Sequence, residues 1–252
     1  MKSIQKALDI LELFWKHPGQ LSLSEMAAFS NYHKASIFRV VSTLVKRGYL
    51  KQEKKRGKYS LGDVFLEFSG IVKGNIEIRD PAIPYLVELS RIVKEAVRIT
   101  IWDGKKIVFS ETFRETGELS EALKTIPEEG TQIPLYCTCV GKMILANMRE
   151  KECTEYFKNV ELEKRTPNSI IDLSVLQTQF PEIRNENIAY DDEEYILGVR
   201  GVASGIKDSH NHFVGAICVI GPSVRLSKDK LKKIASTVRD FAERISKALI
   251  AG

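Results

Sequence analysis

The chain has 252 residues, of which 43% are hydrophobic and 28% are charged, and its formal net charge is +5. This composition is typical of a folded globular protein and argues against disorder, and the length is enough for one large domain or two ordinary ones. No run approaches the apolar length of a membrane span, and Lys2, Lys6 and Asp9 interrupt the start of the chain, so a cytoplasmic protein is predicted. The four cysteines, all in the second half, are too few for a secreted disulfide scaffold and are predicted to be reduced.

The positive charge is concentrated at the N-terminus. Residues 1–60 hold twelve Lys or Arg against four Asp or Glu, a net +8, whereas the remainder holds 26 basic against 29 acidic residues, a net −3. A basic piece on a slightly acidic body indicates that one part of the molecule meets a polyanion. On charge alone, a solvated basic face explains the pattern equally well.

The basic piece has the hydrophobic periodicity of three helices followed by two short strands. Apolar residues at three- and four-residue spacing predict a helix that ends before Pro18, and Ser22 with Glu25 forms a capping-box signature for a second helix. A third helix runs up to Gly48. Two basic strands then flank a turn at 54–57, and this order predicts a winged helix-turn-helix, whose third helix enters the major groove of DNA.

The predicted DNA contacts fall into two groups. Residues in or just before the start of the third helix could reach base edges, and these are Tyr32, His33, Lys34, Ser36 and Arg39. Residues at the helix end and in the wing are expected to contact phosphates, and these are Lys46, Arg47, Lys54, Lys55, Arg56 and Lys58. The alternative is a three-helix domain that packs against protein or is merely soluble.

The sequence resembles the IclR family of bacterial transcriptional regulators over nearly its whole length. The resemblance is carried by SIQKALDILELF, the helix-turn-helix segment LSLSEMAAFSNYHKASIFRVVSTLVKRGYL, GKYSLG, CTCVGKMILA, RTPNSI, IRNENIAYDDEEYILGVRGVASGI and GAICVIGPSVRL. It implies a dimer, or a pair of dimers on DNA, with a ligand-binding C-terminal domain of GAF-like fold. Ala35 and Phe38 depart from the Ser and His that are frequent in the family, which leaves the operator sequence open.

A predicted linker helix follows the wing. Apolar residues recur at helical spacing from Val64 to Val72, before Asp80-Pro81. The resemblance implies that this helix packs against the partner subunit as well as its own wing; the alternative is an ordinary terminal helix of the first domain. The predicted organisation is 1–62 as the winged helix-turn-helix, 63–79 as the linker helix and 80–252 as the effector-binding domain.

The second domain is predicted to be α+β, with an antiparallel sheet and flanking helices. Its predicted elements are a helix at 82–93, a hairpin at 96–112, helices near 140–148, 150–157 and 173–185, strands at 199–206 and 213–220, and a long helix from Ser227 to about Leu249.

Small residues on one face of a predicted strand suggest a ligand pocket. Gly201, Ala203 and Gly205 alternate along VRGVASGI and leave space above the strand, unless a helix packs tightly there instead. The other candidate pocket residues, at positions where the resemblance also places the effector site, are Thr138, Cys139, Val140, Gly141, Asp191, Cys218 and Ile220.

Several of these positions differ from the carboxylate-binding members of the family. Cys139 and Val140 replace a pair that is often Gly-Ala, Gly201 stands where Cys is common, and Cys218 and Ile220 replace two Ser. Because two hydroxyl donors are lost, the pocket is expected to prefer an effector that is larger or partly apolar, which could still be a carboxylate. Such a ligand would act by binding one arrangement of the dimer better than another.

The sequence also bears on two other functional classes. Cys137 and Cys139 with His210 and His212 could form a metal- or thiol-sensing site, although zinc sites usually have wider Cys spacing. An enzyme is less favoured, because the chain lacks a phosphate-binding glycine loop, G-x-S-x-G and H-E-x-x-H, and no cofactor is expected.

Overall fold

A computed structural model of the chain describes residues 2–53, 57–74, 78–103, 107–113 and 133–251. The chain forms two compact units, residues 1–76 and 77–252. None of the described helices is both long and apolar enough to cross a membrane. The elements of the first unit are α1 (Lys2–Lys16), α2 (Leu23–Ser30), α3 (Lys34–Lys46), β1 (Leu50–Gln52), β2 (Tyr59–Leu61) and α4 (Val64–Gly74).

Both ends of α2 are defined by local structure. The Ser22 side chain accepts from the Glu25 amide at 3.2 Å, and Glu25 accepts from the Ser22 amide at 2.7 Å, which completes the predicted capping box. Asn31 then ends α2 in the left-handed conformation, with φ of 56°. Apolar faces of all three helices meet in one core, which includes Ile10, Leu13, Met26, Ile37, Val41, Leu44 and Leu50.

The wing follows α3 through a tight glycine contact. Gly48 has φ of +79°, and a Cβ on Gly62 would lie 1.9 Å from the Gly48 carbonyl oxygen, so glycine is required at both positions. β1 and β2 pair antiparallel, with Leu50 opposite Leu61. Tyr49 packs edge-on against Phe65 of α4, at 5.7 Å between ring centroids, so this helix contacts the winged domain.

The second unit is α+β. Its elements are α5 (Arg79–Val93), β3 (Ala96–Trp102), β4 (Ile107–Phe113), α6 (Cys139–Asn147), α7 (Glu150–Asn159), α8 (Leu173–Thr178), α9 (Phe180–Glu186), β5 (Ala189–Asp192), β6 (Val199–Lys207), β7 (Phe213–Pro222) and α10 (Lys228–Ala251). The five strands form one sheet in the order β4-β3-β7-β6-β5, and every pairing is antiparallel.

Helices cover the sheet. Ala203, Ala216 and Cys218 belong to a buried core with α6 and α9. Val202 and Val219 are also fully buried, and alternation along the strands directs them to the other face. α10 packs on β6 and β7 and against α5. The pocket described below lies on the α6 side of this sheet.

Some predicted boundaries were wrong. The single helix predicted at 173–185 is two helices, since Gln179 separates α8 from α9 and Pro181 lies in the first turn of α9. The helix predicted at 82–93 starts three residues earlier, at Arg79. No strand was predicted at 189–192, yet β5 pairs there with β6. The linker helix was predicted over 63–79; α4 spans Val64–Gly74, and residues 75–77 lie outside the described residues, so its predicted end stays a prediction.

Candidate DNA-binding surface and effector pocket

α3 presents the basic face that the sequence predicts. Ile37, Val41 and Leu44 are buried, while Lys34 and Arg39 are exposed on the opposite side. The exposed residues of this segment are His33, Lys34, Ala35, Phe38, Arg39, Ser42, Thr43, Lys46 and Arg47. The helix therefore offers cations along its length together with an apolar side chain, Phe38, which is 55% exposed.

Three of the predicted base-reading residues also bind within the unit. The Tyr32 hydroxyl donates to Asp9 Oδ2 at 2.5 Å, and the ammonium of Lys6 donates to Ser36 Oγ at 2.7 Å. Lys34 Nζ donates to Ser24 Oγ at 2.9 Å. Tyr32 and Ser36 thus join α3 to α1, so the structure gives these two residues a role in orienting the helix. His33 precedes the helix without a side-chain capping bond.

The wing is described only in part. Lys58 is half-buried and lies 3.8 Å from Glu25 Oε1. Lys54, Lys55 and Arg56, predicted to contact phosphates, lie outside the described residues. Exposed cations therefore follow α3 toward its end at Lys46 and Arg47, a distribution that suits electrostatic contact with a phosphate backbone.

A pocket of about 500 Å³, open mouth included, lies in the second unit on the α6 side of the sheet. Seven of the nine predicted effector residues line it: Thr138, Cys139, Val140, Asp191, Gly201, Cys218 and Ile220. The remaining lining residues are Arg98, Thr100, Ile133, Tyr195, Ile196 and Val199. The wall is mostly apolar with a few polar groups, which is the usual character of small-molecule sites.

The start of α6 forms one edge of the pocket. Thr138 is the N-cap residue, and its hydroxyl accepts from the Gly141 amide at 3.0 Å. Gly141 does not line the pocket, because its Cα packs on the backbone of Leu135; an added Cβ would lie 2.2 Å from the Leu135 carbonyl oxygen. Its predicted role as a pocket residue is therefore replaced by a role in close packing.

The small residues of β6 have two different roles: one lines the pocket, and the others allow close packing. Gly201 lines the pocket, and a Cβ there would lie 2.9 Å from Cys139 Sγ. Ala203 is fully buried in the core and is not in the pocket wall, contrary to prediction. A Cβ on Gly205 would meet Asn187 Oδ1 at 2.8 Å and the Phe213 ring at 3.1 Å. Of these three residues, only Gly201 therefore lines the pocket. The nearby wall from α6 includes the Cys139 thiol and the Val140 methyl groups.

A buried charged cluster adjoins the pocket through Asp191. Lys142 Nζ of α6 donates to Glu194 Oε1 at 2.6 Å, and their side chains are only 3% and 8% exposed. Asp191 Oδ1 accepts from the Glu194 amide at 2.8 Å. Burial raises the pKa of Asp191 to about 7, and the nearby charge of Glu194 acts in the same direction while Lys142 opposes it.

The RTPNSI segment holds the loop that follows Asp191. The Thr166 hydroxyl donates to the Glu193 carbonyl at 2.6 Å, and the Ser169 hydroxyl donates to the Glu194 carbonyl at 2.6 Å. Glu193 adopts φ of +60°, a conformation that such bonds must hold in place. This segment therefore positions Asp191 without contacting the pocket itself.

Arg98 and Thr100 are pocket residues that sequence reasoning missed. Both are on β3, where Arg98 pairs opposite Cys218 and Thr100 opposite Ala216 of β7. Arg98 Nε donates to Thr112 Oγ1 of β4 at 3.0 Å. A polar residue at every second position of an otherwise apolar strand, as in AVRITIW, is the signal that could have identified them.

The cysteines are buried thiols. Cys137, Cys139, Cys153 and Cys218 are all free. A hydrogen bond with Cys218 and burial raise the pKa of Cys139, and burial raises the pKa of Cys137 to about 12. Because the thiolate is the form that reacts and binds metal, these environments disfavour the thiol-sensing alternative.

Within the described residues, the group that could hold a metal ion does not include cysteine. It consists of Asp208, His210 and His212 in the turn between β6 and β7. Asp208 Oδ1 accepts from the backbone amides of both His210 and His212 at 2.8 Å, so the carboxylate has a structural role in closing the turn. The predicted combination of Cys137 and Cys139 with these histidines is not formed.

Two family models match separate parts of the chain. The IclR helix-turn-helix domain model matches residues 3–54, and the model for the bacterial transcriptional regulator IclR C-terminal domain matches residues 72–247. Together these matches span the basic face of α3 and every residue of the pocket.

Individual relatives match over almost the full chain. The HTH-type transcriptional regulator KipR of Bacillus subtilis is 30% identical over 98% of this chain and 97% of its own length. The HTH-type transcriptional repressor AllR of Escherichia coli is 25% identical over 98% of this chain and 90% of its own length. A solved IclR homologue from Microbacterium hydrocarbonoxydans, complexed with 4-hydroxybenzoate, shares the fold at a TM-score of 0.82, with 18% identity and coverage of 99% and 100%.

Proposed function

The chain belongs to the IclR family of bacterial transcriptional regulators, and we propose that it represses transcription by binding an operator through α3 and the wing until a small acid enters the pocket. The protein is a DNA-binding, ligand-responsive regulator. The proposal rests on one observation: the first unit has the features of a DNA-binding domain, and the second has those of a ligand-binding domain. One unit exposes cations on a helix-turn-helix, and the other has a mostly apolar pocket with a few polar groups.

On DNA, Arg39 is proposed to read bases from the exposed side of α3, with Lys34 and His33 beside it. Arg39 is fully on the solvent side of the helix, one position beyond Phe38. An Arg in this position can bind a guanine edge with two hydrogen bonds, and an apolar side chain can contact a thymine methyl. Lys46, Arg47 and the wing cations 54–56 and 58 are proposed to hold phosphates, without reading sequence.

A homodimer, or a pair of dimers, is proposed to bind the operator. Large apolar side chains are exposed on two helices of the first unit: Ile4, Leu8 and Trp15 on α1, and Leu66, Phe68 and Ile71 on α4. Exposed apolar surface of this extent is commonly covered by a partner. A second copy of the chain is the proposed partner.

The effector is proposed to be an organic acid with an apolar part. Apolar side chains from Val140, Ile196 and Ile220 line the pocket, and the solved homologue holds a carboxylate, 4-hydroxybenzoate. An effector that prefers the arrangement with weak operator binding lowers operator affinity by the difference in its binding energies for the two arrangements, typically about 1–3 kcal/mol.

The test begins with the selection of bound genomic fragments, followed by fluorescence anisotropy on the fragment recovered. We expect Arg39→Ala to lose about 5- to 150-fold in affinity for that fragment and to lose its preference over unrelated DNA, since one bidentate base contact contributes about 1–3 kcal/mol. Arg149→Ala is the matched control, because Arg149 is an exposed arginine of the second unit. Equal affinity of wild type for the selected fragment and for random DNA would refute the proposal.

A further inference from the structure

The pocket has polar groups of opposite character at its two sides. Arg98 stands on β3 and Asp191 on β5, with β7 and β6 between them in the sheet. The strand register fixes the positions of both residues, because Arg98 lies opposite Cys218 of β7 and Asp191 lies opposite Gly201 of β6. Ala189, not Asp191, is level with Arg98 on β5, so three strand spacings of about 4.8 Å and an offset of two residues, about 7 Å, separate the two backbones by roughly 16 Å. A ligand must therefore reach across β7 and β6 to touch both groups.

The middle of the pocket floor is apolar and is formed partly by residues with little or no side chain. Gly201 and Cys218 lie between the polar sides, with Ile220 next to them on the same face. Gly201 presents no side chain, and Cys139 Sγ lies only 2.9 Å from where a Cβ would be. A molecule lying across these residues meets methyl groups and thiols, so its central part gains from being apolar.

Each side is held in position by a neighbour. The bond from Arg98 Nε to Thr112 Oγ1 at 3.0 Å fixes the guanidinium on the β4 side of the pocket. Asp191 is held by the Glu194 amide, in the loop that Thr166 and Ser169 clamp. A guanidinium is the side chain that best matches a carboxylate, and a buried carboxyl group binds a hydroxyl group well.

We infer that the effector is a hydroxy acid whose carboxylate binds Arg98 and whose hydroxyl group binds Asp191, with an apolar spacer of about one ring or four to six methylenes lying over Gly201 and Cys218. This rests on the proposed function and extends it from an acid to a molecule with two polar ends. Arg98 is thereby assigned as the residue that selects acids over neutral compounds. Asp191 selects for the second polar end.

The test uses the full-length protein and isothermal titration calorimetry. The probes are 4-hydroxyphenylacetate and 6-hydroxyhexanoate, with phenylacetate and 4-hydroxyphenylacetamide as analogues that each lack one end. We expect at least one of the two hydroxy acids to bind wild type. Where this is 4-hydroxyphenylacetate, it should bind at least tenfold more tightly than either analogue. Failure of both hydroxy acids to bind, or equal affinity for the three phenyl compounds, would overturn the inference.

Variants separate the two ends. Arg98→Gln should bind the acid and its amide equally, while Asp191→Asn should lose most of the advantage of the hydroxyl group. Arg244→Gln is the matched control. Arg244 of α10 pairs with Glu88 of α5, and neither residue lines the pocket, so this substitution should leave all affinities unchanged. Retention of the acid preference by Arg98→Gln, with a circular dichroism spectrum like that of wild type, would refute the assignment.

Operator binding distinguishes this inference from the function on which it rests. A wild-type protein that binds its operator specifically and is released by a neutral compound keeps the proposed function and refutes the hydroxy-acid inference. A protein without any specific operator refutes the proposed function, whatever its pocket binds.

Discussion

Removal of the buried ammonium of Lys142 should strongly destabilise the second unit. Lys142 and Glu194 form an ion pair at 2.6 Å with both side chains more than nine-tenths buried. At an effective dielectric constant of about 20, two unit charges at this separation attract by about 6 kcal/mol. Within the described residues Glu194 Oε2 has no hydrogen-bond partner, so little else would compensate the carboxylate.

The expected loss on Lys142→Met is about 3–5 kcal/mol in the free energy of unfolding, because a buried charge is left unpaired. The double variant Lys142→Met with Glu194→Gln should recover most of that loss, since the charge is then removed as well. Arg149→Met breaks an exposed pair with Glu152 and serves as the control, with an expected change of at most about 1 kcal/mol.

Urea unfolding followed by tryptophan fluorescence can measure this in the full chain. Trp102 is buried in the second unit, whereas Trp15 is 67% exposed in the first. A Trp15→Phe background therefore reports the second unit alone, which matters because two units need not unfold together. A loss below about 1 kcal/mol for Lys142→Met, or no recovery in the double variant, would refute the reasoning.

Three further predictions concern pH, the pocket and salt. The pKa of Asp191 is raised from 3.8 to about 7, so between these values the folded state binds more protons than the unfolded state. The free energy of unfolding should therefore fall by up to about 4 kcal/mol as pH rises from 4 to 7. Urea midpoints of Asp191→Asn should depend less on pH than those of wild type. Gly201→Val should fill the pocket against Cys139 and abolish effector binding in calorimetry while operator affinity persists. If the six cations at 46, 47, 54–56 and 58 of each subunit all contact phosphates, each subunit should contribute roughly −5 to the slope of log affinity against log salt in anisotropy titrations, so a dimer should show roughly −11, and replacing 54–56 by serine should remove about 3 per subunit. A pH profile unchanged by Asp191→Asn, effector binding by Gly201→Val, or a slope near zero would each contradict its prediction.

Local patterns were enough to predict the first unit. Helical spacing, the Ser22 and Glu25 capping box and the glycine at position 48 are short-range signals, and each has the structure that its chemistry dictates. The predicted helix and strand boundaries were wrong where the local sequence signal was weak. β5 was missed because AYDD has little strand propensity, and its pairing with β6 is what makes it a strand.

The pocket was predicted only in outline. The choice between space and packing along β6 could not be made from the strand alone, because it depends on what lies above each residue. Gly201 faces a thiol and an open pocket, whereas Gly205 faces Asn187 and Phe213. Gly141 looked like part of a ligand loop and is instead the contact with Leu135.

The sequence by itself determined that a cationic three-helix unit is joined to an α+β unit, since charge and hydrophobic period are properties of neighbouring residues. The tertiary structure alone decided which side chains share the pocket. β3 and β7 are more than a hundred residues apart in the chain, and their pairing brings Arg98 opposite Cys218 and across the sheet from Asp191. Such pairings depend on the packing of the whole sheet, because no local pattern records which strands become neighbours.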